Sequence, residues 1–384
     1  MKRSRKEEII TVSKRIGDST AIWFASSRSF VLLEQPAWEV FDRYLNDWTA
    51  KAIFDYVSSS YNLEDEDSQK FVNEIIEGII QLNDPANLPY QQPELVPEFN
   101  EYQFPLFAEK FYMIGETLFR FRYGSEWLLR CFHPTMAHLE TGSQIAEHLF
   151  EVFEQDGLLI FRHNGKAIEA FKSENSHYLR GAVSQKLFSV LYEIKDEDWM
   201  ITLHSAAVSD GKSAIVFPAQ AGSGKSTLSA ILQARGFMVL SDDFNAVNQD
   251  NGFVYRLPLA ISVKEGSLKT LEPYYPTLKE ILPEQAATGK IVRHLPVTNN
   301  QPGEHTAFPV KALVFMSYAE SEPFIFEEID EREAIQLLLP ETWVNPTSEN
   351  VVQFFTWIEG ISFYRLQYAV NQDAITAIDG LFNA

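Results

Sequence analysis

The sequence predicts an α/β fold, α+β overall, on three observations. Residues 216–243 (VFPAQAGSGKSTLSAILQARGFMVLSDD) read as a hydrophobic strand, a glycine-rich loop, an amphipathic helix, a second hydrophobic strand and paired carboxylates. Residues 36–83 carry three helical apolar stripes, whereas residues 108–194 have mostly strand texture. A length of 384 residues suggests two or three domains.

The glycine-rich loop is nearly a full G-x-x-x-x-G-K-[ST] phosphate loop, with Ala219 in place of the first glycine. Gly222 and Gly224 permit the loop dihedrals. The backbone N–H groups of Ala221, Gly222, Ser223, Gly224, Lys225, Ser226 and Thr227 would form an anion nest. Lys225 would reach the β and γ phosphates, and Ser226 would coordinate a metal ion. Context supports the match: Ile215, Val216 and Phe217 supply the strand before the loop, and Leu228, Ile231 and Leu232 stripe the helix after it.

Composition narrows the classes. The chain has 32 basic and 53 acidic residues and a formal charge of −21, which argues against a nucleic-acid or anionic-membrane surface. The single Cys131 excludes an internal disulfide framework and thiolate metal clusters. The start, MKRSRKEEII, runs from a basic flank into polar residues, so no signal peptide is expected, and no apolar run is long enough to suggest a membrane span. A cytoplasmic location is expected; oligomeric state is left open, with a homo-oligomer allowed.

In order, residues 1–18 read as a polar arm and 19–84 as a small unit with two short strands in TAIWFASSRSFVLL and three helices. The first helix, PAWEVFDRYL, has proline at a permissible first-turn position; the third has an acidic first turn and the stripe Phe71, Ile75, Ile76, Ile79, Ile80. Residues 85–107 are proline-rich with little periodicity and read as a linker. Residues 108–194 read as a mixed α/β subdomain: strand-like MIGETLFRFRYG and SEWLLRCFHPTM, a hairpin about Asn164-Gly165, and a helix with Leu187, Val190 and Leu191 on one face. Residues 195–384 read as the catalytic domain. Within it, MITLHSAAV is a strand, Asp210-Gly211 a turn, VNQDNGFVYRLPLAISVK two strands about Asn251-Gly252, and VKALVFMSYAES a buried strand; helices and a strand complete it.

Asp242 and Asp243 fall at the C-terminal end of the strand Phe237-Met238-Val239-Leu240, the ligand edge of an α/β sheet. One carboxylate there can hold Mg²⁺ while the other accepts a proton from an attacking hydroxyl. His204, on the strand before the Asp210-Gly211 turn, points toward the same edge if the two strands form a hairpin; a satisfied core histidine is the equal alternative.

The set Leu203-His204-Ser205-Ala206-Ala207-Val208, the loop, Arg235-Gly236-Phe237 and Ser241-Asp242-Asp243 resembles the catalytic domain of HPr kinase/phosphorylase and its relatives. That resemblance implies a PEP-carboxykinase-like P-loop kinase fold using ATP and Mg²⁺. It implies transfer of the γ-phosphoryl group to a hydroxyl of a protein, a peptide or a small molecule. Carried over by position, Lys225 matches the phosphate-binding lysine and Ser226 the metal-binding hydroxyl. Asp242 matches the general base, Asp243 its metal-supporting neighbour, and His204 the active-site histidine. LPLAISVK resembles the P-x-x-[IV]-S-x-K stretch, which makes Lys264 a candidate phosphate or substrate contact; Arg256 and Arg293 are candidate phosphoryl clamps, with paired loop arginines as the plain alternative. The glycine-rich signature that follows the twin aspartates in HPr kinases is missing, as is their usual N-terminal domain, so neither HPr as substrate nor reverse phosphorolysis is expected. Residues 19–84 resemble the PqqD-like peptide-recognition domain, a winged-helix-type module, which implies leader-peptide binding.

Two rival functions share the loop: an NTPase whose hydrolysis drives a conformational change, and a nucleotide-sensing scaffold that binds a peptide without transfer. A free amino acid or sugar hydroxyl as acceptor is not separable from a peptide or protein by sequence.

Overall fold

The expected polar arm ends in a strand. Thr11–Ile16 pairs antiparallel with Ser19–Phe24, which pairs with Ser29–Glu34. The turn between the first two is made by Gly17 at φ +55°. Only Ile16 of the first strand is buried, so its alternation is too weak to register in the sequence, whereas all six residues of Ser19–Phe24 are buried. The structure, a computed structural model, describes residues 9–88, 93–220, 222–285, 289–298 and 306–383.

The described residues divide into two units. The first contains the three-stranded sheet and the helices Gln35–Leu45, Ala50–Tyr61 and Asp65–Leu82. These three helices occur where their stripes predict them. The second is capped by Thr49, whose hydroxyl accepts from Ala52 N. Val40, Ile53, Val57 and Val72 form one buried cluster, and Ile22, Phe24, Phe41 and Ile79 another. This unit also includes Asp330–Pro340 and Val344–Gly360, far along the chain. Phe30 meets the rings of Phe354 and Phe355 edge-on, each at 6.1 Å, and Arg332 pairs with Glu34.

In the second unit, Ala108–Ile114, Thr117–Tyr123, His148–Gln155, Leu158–His163 and Lys166–Lys172 form a five-stranded sheet in that order. Asn164 and Gly165, at φ +49° and +79°, make the predicted hairpin turn. SEWLLRCFHPTM is a helix, not a strand: over Glu126–Met136, Ser125 caps Leu128 N, and Leu128, Phe132 and Met136 recur at one-turn spacing and are buried. A four-residue spacing is half-matched by strand alternation, which is why the pattern misleads. The expected linker is folded in its described part beyond residue 92. Glu98–Glu101 is a short helix, and Phe99 and Phe104 are buried with Phe153 and Ile160. Arg162, 5% exposed, holds this segment: its Nη1 donates to the carbonyls of Phe99, Asn100 and Tyr102, while its Nε donates to Glu151 at 2.7 Å.

The larger sheet has nine strands. Its organising member, Trp199–Ser209, pairs antiparallel over residues 205–209 with Ala214–Pro218 on one side and Met238–Ser241 on the other, and over residues 199–204 with Phe244–Asn248. Phe244–Asn248 leads through Phe253–Tyr255 to Ala307–Tyr318, which pairs parallel with both Ala214–Pro218 and Ser362–Tyr368. The helices Lys225–Ala234 and Asn371–Asn383 share a buried cluster with these strands, including Val208, Ile215, Leu228, Ile231, Val314 and Ile378. The result is a mixed α/β unit in which the wholly buried, apolar strand Ala214–Pro218 leads into the loop.

Candidate functional site

The loop leaves the strand Ala214–Pro218 and enters the helix Lys225–Ala234 through Gly224 at φ +102°. A Cβ on Gly224 would lie 3.0 Å from the Tyr368 hydroxyl and 3.2 Å from Tyr318 Cβ, so both conformation and space require glycine. Gly222 is also left-handed, at φ +101°. No side chain caps the helix, so its first N–H groups are available to an anion. Ala221, expected to contribute its amide, lies outside the described residues. Ser223 Oγ is buried and without a hydrogen-bond partner among the described residues, and Thr227 Oγ1 bonds Ser267 Oγ at 2.7 Å.

Lys225 is buried, its ammonium against the carbonyls of Ala219 and Gln220. Burial lowers its pKa, opposed by Glu341, Asp243 and Asp242; Lys264 is close enough to lower it further. The structure therefore brings Lys264, at the end of the strand Ile261–Lys264, into the field of the loop lysine.

Asp242 and Asp243 occupy the bend between the two strands that continue along Trp199–Ser209. Asp243 O accepts from Ser205 N at 3.2 Å, fixing the bend opposite His204-Ser205. The two side chains part company. Asp242 is 8% exposed; its Oδ2 accepts from Ser262 N at 3.2 Å and its Oδ1 has no hydrogen-bond partner among the described residues. Burial pushes its carboxyl up to about 7, although the Ser226 hydroxyl and the Ser262 amide both favour the anion. Asp243 is 46% exposed on its side chain yet lies at the foot of a cleft. Its Oδ1 is 3.2 Å from His204 Nε2, and its Oδ2 accepts from Arg180 Nη2 at 3.1 Å. The protein around it would raise its pKa, but His204, Arg180 and Lys225 outweigh that and hold it below the usual carboxylate range.

His204 is half-buried and lies between two carboxylates. Its Nδ1 is 2.7 Å from Glu341 Oε2, and Glu341 is buried. The Asp243 hydrogen bond raises its pKa most, burial opposes it, and Glu341 adds to the rise. Glu341, His204 and Asp243 form a continuous chain of partners.

Arg256 and Arg293 are engaged elsewhere. Arg256, buried, donates to the main-chain carbonyls of Val239 and Thr298; Arg293 donates to Ile281 O and pairs with Glu265. Glu341 and Arg180 carried no signal in the sequence: one follows Pro340 and the other lies in the helix Ser176–Leu191 with no motif around it. Arg180, Val183, Ser184 and Leu187 recur at helical spacing and face a cleft whose opposite wall is the helix Glu126–Met136 and whose floor is the twin aspartates.

The residues fit a divalent cation on one observation: the Asp242 carboxyl, beside the Ser226 hydroxyl, has a buried oxygen, Oδ1, with no hydrogen-bond partner among the described residues. Among the described residues no three His, Cys, Asp or Glu side chains form a metal-binding group. Mg²⁺ at nucleotide sites takes one or two carboxylates together with phosphate oxygens and water, so a fuller protein cage is not required. No described helix is long and apolar enough to cross a membrane.

No family model matches the chain, and no curated protein matches it. Among solved structures, that of the Hpr(Ser) kinase/phosphatase from Coxiella burnetii is similar over 46% of this chain and 91% of that chain, at 15% identity and a TM-score of 0.21. A likeness at that TM-score decides neither fold nor activity.

Proposed function

We propose that the chain is an ATP-dependent phosphotransferase of the HPr-kinase-related type, moving the γ-phosphoryl group to a hydroxyl. The observation that carries this reading is the junction of an uncapped, glycine-entered phosphate loop with two adjacent carboxylates in opposite electrostatic states. A pair of titratable groups driven apart by their surroundings is the usual mark of divided catalytic duties.

The loop amides and Lys225 bind the phosphates, with Lys264 near enough to add charge. Ser226 and Asp242 would hold Mg²⁺, which supplies charge neutralisation on the β- and γ-phosphates. Asp243, kept anionic and oriented by His204, accepts the acceptor's hydroxyl proton; Glu341 holds His204 in place. Position in the related kinases assigns the base to Asp242 and metal support to Asp243. The contacts favour the exchange of those roles, because Asp242 is the one beside Ser226 and Asp243 the one with solvent access.

Transfer from γ-labelled ATP tests both levels. Asp243→Asn should abolish labelled acceptor while a fluorescent nucleotide still binds. Asp242→Asn should instead raise the Mg²⁺ concentration needed. Wild-type transfer by Asp243→Asn refutes the base assignment, and release of inorganic phosphate alone by the unmodified chain, whatever acceptor is offered, refutes the kinase.

A further inference from the structure

The cleft beside Asp243 has a chemistry of its own. It lies between the helices Glu126–Met136 and Ser176–Leu191, and its inner part is small, about 40 Å³. Phe132, Met136, Val183 and Leu187 make its walls apolar, and the aspartates make its floor acidic. The cation on its wall is Arg180. Arg180 spends one donor, Nη2, on Asp243; the rest of its five-donor fork is not engaged by any hydrogen bond among the described residues, and its side chain is 39% exposed.

Resting on the kinase reading, we propose that this cleft is the acceptor site and that it takes a small hydroxy acid. Its hydroxyl sits against Asp243 and its carboxylate against the open edge of the Arg180 guanidinium. Asp243 and Arg180 are 3.1 Å apart at their nearest atoms, which matches a hydroxyl and a carboxylate separated by one or two carbons. The apolar walls receive the carbon skeleton. A serine within a polypeptide fits poorly, because it would bring no carboxylate to Arg180. Planar, bidentate recognition of a carboxylate is what an arginine fork with spare donors provides. In the reaction the acceptor oxygen bonds to the γ-phosphorus and the bond from that phosphorus to the βγ-bridging oxygen breaks. ADP leaves with the electron pair, and the hydroxyl proton passes to Asp243.

The test offers the full chain γ-labelled ATP with Mg²⁺ and, in parallel, serine, glycerate or lactate, their neutral partners serinamide, glycerol and lactamide, and a serine-containing peptide mixture. The expected result is a labelled phosphate ester on at least one acid, with kcat/KM about tenfold or more above its neutral partner. Arg180→Gln should raise KM for that acid about tenfold and erase the preference, with nucleotide affinity followed separately. Arg180→Lys, which keeps the charge without the fork, should keep part of it and guards against a folding defect in the first variant. Equal use of acid and neutral partner, an Arg180→Gln enzyme that keeps the preference, or label on peptides alone would overturn the acceptor assignment and leave the kinase standing. A chain that binds nucleotide and labels nothing would overturn both.

Discussion

Asp242→Asn should make the folded chain more stable at pH 8 while impairing its chemistry. Burial pushes the Asp242 carboxyl from 3.8 up to about 7, so the folded state keeps a proton that the unfolded chain has lost. The sign follows from linkage. The stability this group contributes is fully present below pH 3.8 and is lost as pH rises to about 7. Roughly three pH units at ~1.4 kcal/mol each amount to about 4 kcal/mol lost by pH 8. Asparagine has nearly the same shape, can accept the Ser262 amide with its carbonyl, and does not titrate. The variant should therefore differ little from the native chain near pH 4 and exceed it by up to about 4 kcal/mol at pH 8. Urea unfolding in EDTA, followed by tryptophan fluorescence at pH 5 and pH 8, measures the difference; Trp199, buried in the central strand, reports on the relevant unit. An identical difference at the two pH values, or a less stable variant at pH 8, would refute the claim that Asp242 is a desolvated carboxyl. Adding Mg²⁺ and ADP should raise the native midpoint at pH 8 more than that of the variant at the same Mg²⁺ concentration.

Glu341→Gln should lower kcat about tenfold with the KM for ATP unchanged, as expected of a residue that positions His204 rather than touching nucleotide. Because Glu341 helps raise the His204 pKa, the limb of the pH profile that reports His204 should move to lower pH; a change in KM alone contradicts the positioning role. Glu151→Ala should cost about 3–5 kcal/mol, since it strands the buried Arg162, and should loosen residues 98–104, seen as faster hydrogen exchange. A loss below about 1 kcal/mol would mean that the three carbonyls on Arg162 suffice without the carboxylate.

What the sequence determined by itself is the local chemistry. The loop, its flanking strand and helix, and the twin aspartates are consecutive, so their geometry is set by short-range rules: left-handed glycines, an apolar strand, a stripe of period 3.6. The three helices of residues 35–82 and the Asn164-Gly165 turn were legible for the same reason. What only the tertiary structure decided is whatever depends on distant partners. Thr11–Ile16 is a strand because Ser19–Phe24 pairs with it, and residues 98–104 are ordered because Arg162 and Phe153 receive them. His204 is held between two carboxylates because Glu341, 137 positions away, takes its other nitrogen. Arg180 reaches Asp243 across 63 positions. Adjacent carboxylates are identical in sequence, and their pKa values separate in opposite directions because one is buried beside Ser226 while the other opens onto a cleft against His204 and Arg180. Desolvation and charge are properties of the surroundings, so the paired aspartates announced a site, and only the fold around them distinguished the two.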